Sequence, residues 1–404
     1  MKTVVIGGGP AGMISAYFQA KNGNSVTLIE KNEKLGKKLY ITGKGRCNIT
    51  NDCDVQTFLA NVVSNPKFLM SSIYSFTPQD TINFFEEIGL KTKVERGNRV
   101  FPFSDKSSDV IKVLKNALER VGVIVKYNEV VLDVLTCDGA VNKVITDLGE
   151  YDAEKVIIAT GGLSYASTGS TGDGYAFAKK FGHTVTKLTP SLCGFNLKGE
   201  EFKALQGLTL KNVKLTAKDS DKEYYSEQGE MLFTHFGVSG PLVLTASALT
   251  TKRSLNNINL FIDLKPALTL KELDTRLLRD FEINKNKALK NSLDLLLPKA
   301  LIPLIINRSG VNEYKKNNEI TVKERTSIIT TIKALEFKLD SLRSFNEAVI
   351  TNGGVMVKEV NPSTMESRLV KGLFFAGEVL DLDAFTGGFN LQIAFSTGYT
   401  AGNN

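Results

Sequence analysis

Apolar residues follow a strand period, then a helix period, and repeat this several times over the first 190 positions. Val4–Ile6 and Val26–Ile29 read as short buried strands, and Ala11–Asn22 between them reads as a helix. Thr57–Asn65 and Gln79–Ile88 have helical spacing. Asp109–Val121 is amphipathic, with Val110, Val113, Leu114, Ala117 and Leu118 on one face. Val123–Tyr127, Val130–Val134, Val141–Thr146 and Val156–Ile158 read as strands. Strands alternating with helices predict an α/β unit with a mostly parallel sheet.

The texture changes near Pro190. Val213–Ala217, Glu223–Ser226, Met231–Thr234 and Ile258–Leu264 predict short strands of a small β-rich domain. Leu270–Phe281, Ala288–Leu296, Ala300–Asn307 and Val322–Ile332 predict helices, punctuated by Pro266, Pro298 and Pro303. After Leu342 the glycine-rich texture of the beginning returns, so the middle reads as an insertion. The expected division is 1–190 with 343–404, a β-rich part at 191–265 with 333–342, and a helical part at 266–332.

The chemistry concentrates where glycines interrupt these periods. Gly7-Gly8-Gly9-Pro10-Ala11-Gly12 follows the first strand and opens the first helix. Gly7 suits a tight turn, Gly9 allows a pyrophosphate to approach the backbone, and Gly12 lets the helix pack on the sheet. The helix N-terminus, at Pro10 and Ala11, aims its amides and partial positive charge at the phosphates. Glu30 ends the second strand, where a carboxylate accepts ribose hydroxyls and disfavours a 2′-phosphate. This is half of a dinucleotide site.

Downstream, Lys31 and the stretch Lys34–Asn51 carry Lys37, Lys38, Lys44 and Arg46 among glycines that include Gly45, which predicts an anion-binding loop. Ala159-Thr160-Gly161-Gly162 ends a strand in a turn able to close over a cofactor. Near the other end, Leu373–Ala376 runs into Gly377-Glu378, and Gly388-Phe389-Asn390-Leu391 opens a last helix. Glu378 is the candidate for a ribityl hydroxyl, and the helix N-terminus for the flavin N1 side. An NAD domain keeps its site in one contiguous unit. A site split between both ends of the chain points to FAD.

Bulk properties add modest limits. Of 404 residues, 42% are hydrophobic and 23% charged, with net charge +7. That suits an anionic cofactor and gives no argument by itself for nucleic acid. Lysines 285, 287, 290, 315 and 316 read as a solvated face, so no nucleic-acid partner is expected. There is no run of eighteen apolar residues, so no membrane partner is expected. Lys2 before an apolar stretch imitates a leader, but the glycines and strand pattern argue against one. Cys47, Cys53, Cys137 and Cys193 are irregularly spaced and read as reduced thiols of a cytoplasmic protein. No metal-ligand spacing is present, and His183 and His235 are the only histidines.

The chain resembles the bacterial flavoproteins known as NAD(P)/FAD-dependent oxidoreductases, which include YhiN-like, BaiN-like and aminoacetone-oxidase-like members. The matching stretches are the opening glycine strand, Lys34–Asn51, Arg99–Pro102, Ala159–Tyr175, Leu232–Pro241, Thr351–Val355, Thr364–Ser367 and Phe375–Gly398. Ala166 and Ala384 depart from the proline and glycine common in relatives. The resemblance implies a glutathione-reductase-type FAD domain, an inserted β-barrel-like domain and a small helical domain. It also implies FAD contacts at the matching glycines, Glu30, Arg46-Cys47-Asn48, Val130, Glu378 and Gly388–Asn390.

The resulting expectation is hydride transfer between a small organic substrate and flavin N5, with O2 or NAD(P)H as electron partner. Amine oxidation and enone reduction are both open. Thiol-disulfide exchange through Cys47 and Cys53, and a flavin-dependent RNA-modifying protein, are the alternatives. His235 and Tyr165 are the candidate active-site groups.

Overall fold

The computed structural model describes residues 1–251 and 253–404. They form two compact units, residues 1–191 with 344–404, and residues 192–343.

The first unit is built on a five-stranded parallel sheet. Its strands are β1 (Lys2–Ile6), β2 (Ser25–Glu30), β3 (Ile124–Tyr127), β4 (Lys155–Ile158) and β5 (Leu373–Phe375), in the order β5-β4-β1-β2-β3. Val4, Val5, Leu28, Val156, Ile157 and Phe375 are buried, as continuous apolar runs in a sheet covered on both faces require. Between β1 and β2 lies α1 (Pro10–Lys21), buried on most of its surface. It packs against α2 (Phe389–Gly402), whose residues Ile393, Phe395 and Ala401 join the same apolar core. The last helix is therefore part of the nucleotide-type fold, and the sheet combines strands from both ends of the chain, with β1 at its centre and β5 at one edge.

Several expected elements change. The stretch Lys34–Asn51, read as a loop, holds a short helix at Lys37–Ile41 and a 3-10 turn at Thr42–Gly45. Thr57–Asn65 shortens to a helix at Val55–Ala60, which Asp54 caps by accepting from the Thr57 amide at 2.7 Å. A further helix at Pro66–Ser75 and a hairpin of Thr92–Glu95 with Arg99–Pro102 were not expected.

In the second unit, six antiparallel strands close a barrel, in the order Phe195–Leu197, Gly237–Ser239, Lys222–Thr234, Thr209–Asp219, Ile258–Asp263 and Leu335–Leu342. The fragments around 213–217 and 223–234 are parts of two long strands, since exposed lysines and glutamates alternate with Leu215, Ala217, Tyr225 and Met231 inside. Helices Leu270–Ile283, Ile302–Ser309 and Val322–Lys333 share one apolar core with the barrel.

The helix expected at Ala288–Leu296 is replaced by a 3-10 turn at Leu289–Asn291. Backbone pairing competes there: the Leu289 amide donates to Lys315 O at 2.9 Å and that of Asn317 to Lys287 O at 3.1 Å. Thr269 and Thr321 start two of the helices with reciprocal side-chain caps to Glu272 and Glu324.

Candidate FAD site

Gly7 sits at φ +103° and donates its amide to Ile29 O at 2.9 Å, which fixes the turn leaving β1. A Cβ on Gly12 would lie 1.9 Å from Gly7 O, so α1 approaches the turn more closely than any side chain permits. Gly9 differs: a Cβ there would meet nothing within 4 Å. Its bareness serves no packing need within the protein and leaves room at the helix start. Gly9 is the N-cap of α1 without a side-chain cap, and Pro10 brings no donor of its own. The N-terminus of α1 is thus open to an anion.

Glu30 is 8% exposed. Its Oε2 accepts from the Gly8 amide at 2.8 Å, and its Oε1 accepts from the amide and side chain of Asn32 at 2.9 and 2.6 Å. With two donors on Oε1 and one on Oε2, Oε2 keeps one acceptor position. The carboxylate can therefore receive one further donor, not a pair of hydroxyls. Asn32, which holds it, gave no signal in the sequence beyond its place two residues after Glu30.

Several basic residues of the Lys31–Asn51 stretch meet protein carboxylates. Lys31 pairs with Asp173 at 2.6 Å, and Lys38 pairs with Glu378 at 2.6 Å. Arg46 lies between Glu95 and Asp105, both at 2.5 Å, and stacks over Phe101 at 4.1 Å. The two carboxylates hold the Arg46 guanidinium charged, and Arg46 holds the Glu95 carboxyl below its usual range. Lys31, Lys38 and Arg46 are thus each paired with protein carboxylates, and the backbone of Gly45–Asn48 lies beside them. Cys47 is buried at φ +61°. The side-chain oxygen of Asn48 is buried with no partner.

The remaining residues fall as follows. Val130 has both backbone groups engaged with Asp147, at 2.9 and 3.0 Å. The Ala159 amide donates to Ile6 O at 2.9 Å, Thr160 has a buried hydroxyl without a partner, and Gly161 turns at φ +76°. The Gly377 amide is held by the Thr397 hydroxyl at 2.9 Å. Glu378 is not a free carboxylate: Lys38, Ser164 and the Thr351 amide surround it. Gly388 is the N-cap of α2, again with no side-chain cap. Phe389 packs on Phe58 with ring centroids 5.5 Å apart, and Leu391 extends the same first turn.

Asn390 holds the loop before α2, accepting from the Ala384 amide at 2.9 Å and donating to Ala384 O at 2.7 Å. Tyr165 adopts φ +55°, a conformation an aromatic residue takes only where its surroundings impose it. His235 lies in the other unit, exposed and edge-on to Phe236 at 5.1 Å.

Bare space at Gly9, two helix N-termini without side-chain caps, and the buried unpartnered groups of Thr160 and Asn48 are features that FAD would fill. Both thiols named for disulfide exchange are poorly suited to it. Burial pushes Cys47 up to about 12 and Cys53 up to about 11, which keeps the nucleophilic thiolate scarce. Among the described residues no group of His, Cys, Asp or Glu is arranged to hold a metal ion, and no helix is long and apolar enough to cross a membrane.

Fold and site together define an FAD-dependent oxidoreductase of the Rossmann type. The chain belongs to the family described as HI0933-like protein Rossmann domain, whose pattern matches residues 1–404. It is 30% identical to the 3-dehydro-bile acid delta(4,6)-reductase of Clostridium scindens, over 98% of this chain and 97% of that one. It is 32% identical to the ribosomal RNA dihydrouridine synthase of Haemophilus influenzae, over 98% of this chain and 96% of that one. Among solved structures, a 3-ketosteroid delta1-dehydrogenase from Sterolibacterium denitrificans shares the fold, with TM-score 0.52 and 11% identity over 99% of this chain and 98% of that one.

Proposed function

We propose that the protein binds FAD across both ends of its chain and reduces a carbon–carbon double bond conjugated to a carbonyl, with NAD(P)H as the reductant. One observation carries this reading. Two of the full-length relatives are named for different substrates, yet both names describe addition of hydrogen across such a bond. Bound at this site, FAD would supply hydride transfer between NAD(P)H and the conjugated double bond, with a solvent proton completing the addition. The protein's part is binding and orientation. The α1 N-terminus and Gly9 would hold the pyrophosphate, Glu30 would hold one ribose hydroxyl, and the α2 N-terminus would serve the ring portion. The test is anaerobic: NADH or NADPH bleaches the bound flavin, and a conjugated enone restores its colour. Rapid reoxidation by O2 or reduction by an amine, with no response to an enone, contradicts the reading.

A uracil held in RNA is a second form of the same substrate, favoured by a specific arrangement in the barrel-containing unit. Segments 285–290 and 313–318 pair through their backbones, which sets Lys285, Lys287, Lys290, Lys315 and Lys316 on one ribbon. Tyr314, 65% exposed, lies beneath Lys290 at 4.0 Å. Lysines around an exposed ring suit a single strand of RNA. Glu313 and Glu319 share the ribbon and Lys315 pairs with Glu324, so the excess of positive charge is small. Salt-sensitive retention of ribosomal RNA fragments, lost in K285E/K287E/K316E, supports this form; retention unaffected by those changes contradicts it.

A further inference from the structure

Lys38 and Glu378 stand 340 residues apart in the chain and meet at 2.6 Å, with side chains only 21% and 15% exposed. Two further donors converge on Glu378. Glu378 Oε1 accepts from the Ser164 hydroxyl at 2.9 Å and the Thr351 amide at 3.0 Å. Lys38 also donates to Ser164 Oγ at 2.9 Å. Thr351 Oγ1 in turn accepts from the amides of Leu163 at 2.8 Å and Ser164 at 3.2 Å. Gly162 is wedged into the cluster: a Cβ there would lie 2.5 Å from Thr351 Oγ1 and 2.9 Å from Glu378 Oε1.

The cluster joins four segments of the candidate site. Lys38 belongs to the short helix that leads into Gly45–Asn48. Ser164 follows the Gly161–Gly162 turn and precedes Tyr165. Thr351 lies in the return strand Ile350–Asn352. Glu378 follows Gly377 at the end of β5. A charge pair this withdrawn from water, with its oxygens and hydroxyls cross-linked, holds its members in one geometry. An anion arriving at Lys38 would have to displace a carboxylate that already neutralises it.

We infer that Lys38, Ser164 and Thr351 are positioning residues: they hold Glu378, and through it they shape the part of the site that would receive the ring portion of FAD. Lys38 is then not a ligand of the pyrophosphate. This rests on FAD being the cofactor. It adds a role for two residues, Ser164 and Thr351, that the glycine motifs do not mark.

The test compares FAD with ADP, which carries the adenylate and both phosphates but no flavin, in wild type, K38M, K38R, S164A, E378Q and K38M/E378Q. Dissociation constants are read by fluorescence or calorimetry, alongside thermal stability of the protein without ligand. K38M is expected to bind FAD about tenfold more weakly while its ADP affinity stays within about twofold of wild type. S164A is expected to show a smaller loss of the same kind, and K38R to keep most of the FAD affinity. In K38M/E378Q the loss is expected to be less than the product of the single losses, because no charge is left without its partner.

Parallel weakening of FAD and ADP in K38M would make Lys38 a phosphate ligand and overturn the inference. So would a fall in thermal stability, in K38M or S164A, with FAD affinity unchanged, which is the mark of a structural strut alone. Should K38M not fold, S164A and K38R carry the same comparison. A wild type that binds ADP and not FAD refutes the cofactor reading itself, and the positioning role with it. That result is distinct from one in which FAD binds and Lys38 is indifferent.

Discussion

The Gly8 amide donates to Oε2 of Glu30 at 2.8 Å, joining the turn after β1 to the end of β2. One contact thus sets the geometry of the glycine turn and spends one acceptor position of the carboxylate expected to meet the ribose. In Glu30→Gln an amide donor faces either the Gly8 amide or the Asn32 side chain. We predict a loss of FAD affinity of about 10-fold to 100-fold, the range of about 1.5–3 kcal/mol for a hydrogen bond to a charged group. Titration of protein fluorescence with FAD measures it. An unchanged constant would remove Glu30 from the site.

Gly9 and Gly12 should respond in opposite ways to alanine. Gly9 has extended dihedrals, φ −78° and ψ −177°, and open space, so Gly9→Ala should leave the thermal stability of the ligand-free protein nearly unchanged and weaken FAD binding. Gly12→Ala forces its Cβ onto Gly7 O and should cost roughly 3 kcal/mol or more of stability, as overpacking against backbone does. Thermal melts with and without FAD separate the two. Equal effects on the ligand-free protein would mean that Gly9 is bare for packing reasons.

The first of these patterns could be read directly from the sequence because it is local. The strand, turn, helix and second strand ending in Glu30 lie within 30 consecutive residues, and each glycine interrupts a clear apolar period. The Lys38–Glu378 pair could not be read this way. Each charge alone suits either an anion or a partner of opposite sign, and only the fold decides between them.

The helix Pro241–Thr250 was missed because Leu242, Val243, Ala246, Ser247 and Ala248 bury nearly all its faces, leaving no polar stripe to reveal a period. At Ala288–Leu296 the opposite happened. Leu289, Leu293, Leu296 and Leu297 are all buried with near-helical spacing, but the backbone pairs with 313–318 instead. Burial alone produced the periodicity.

Cys47 and Cys53 give a direct check against disulfide chemistry. With Cys53 pushed up to about 11, the thiolate fraction at pH 8 is on the order of 10⁻³, and that of Cys47 is smaller still. Alkylation of the native protein by iodoacetamide should therefore be slow at both, and Cys53→Ser should leave turnover intact. Fast, stoichiometric labelling of Cys53 with loss of activity would revive the alternative.

His183 makes stability depend on pH. It is 3% exposed, with Nε2 2.7 Å from Ser367 Oγ and Nδ1 3.3 Å from Glu359. Burial lowers its pKa below the usual 6.5, and Glu359 opposes this only in part. The native state thus binds the proton less readily than the unfolded chain. The stability this gives is complete above pH 6.5 and is lost as pH falls through that value toward the native pKa. Melting temperature should fall over that interval in wild type and fall less in His183→Gln. Identical profiles would place the titration elsewhere.

The account rests on one flavin held by both ends of the chain, and equilibrium binding of FAD to the purified full-length protein addresses it most directly. Yellow protein carrying one FAD per chain, with affinity lost on substitution at Glu30 near the start and at Glu378 near the end, is the predicted result. Protein that stays colourless and takes up no FAD, or takes it up with both substitutions silent, would contradict it.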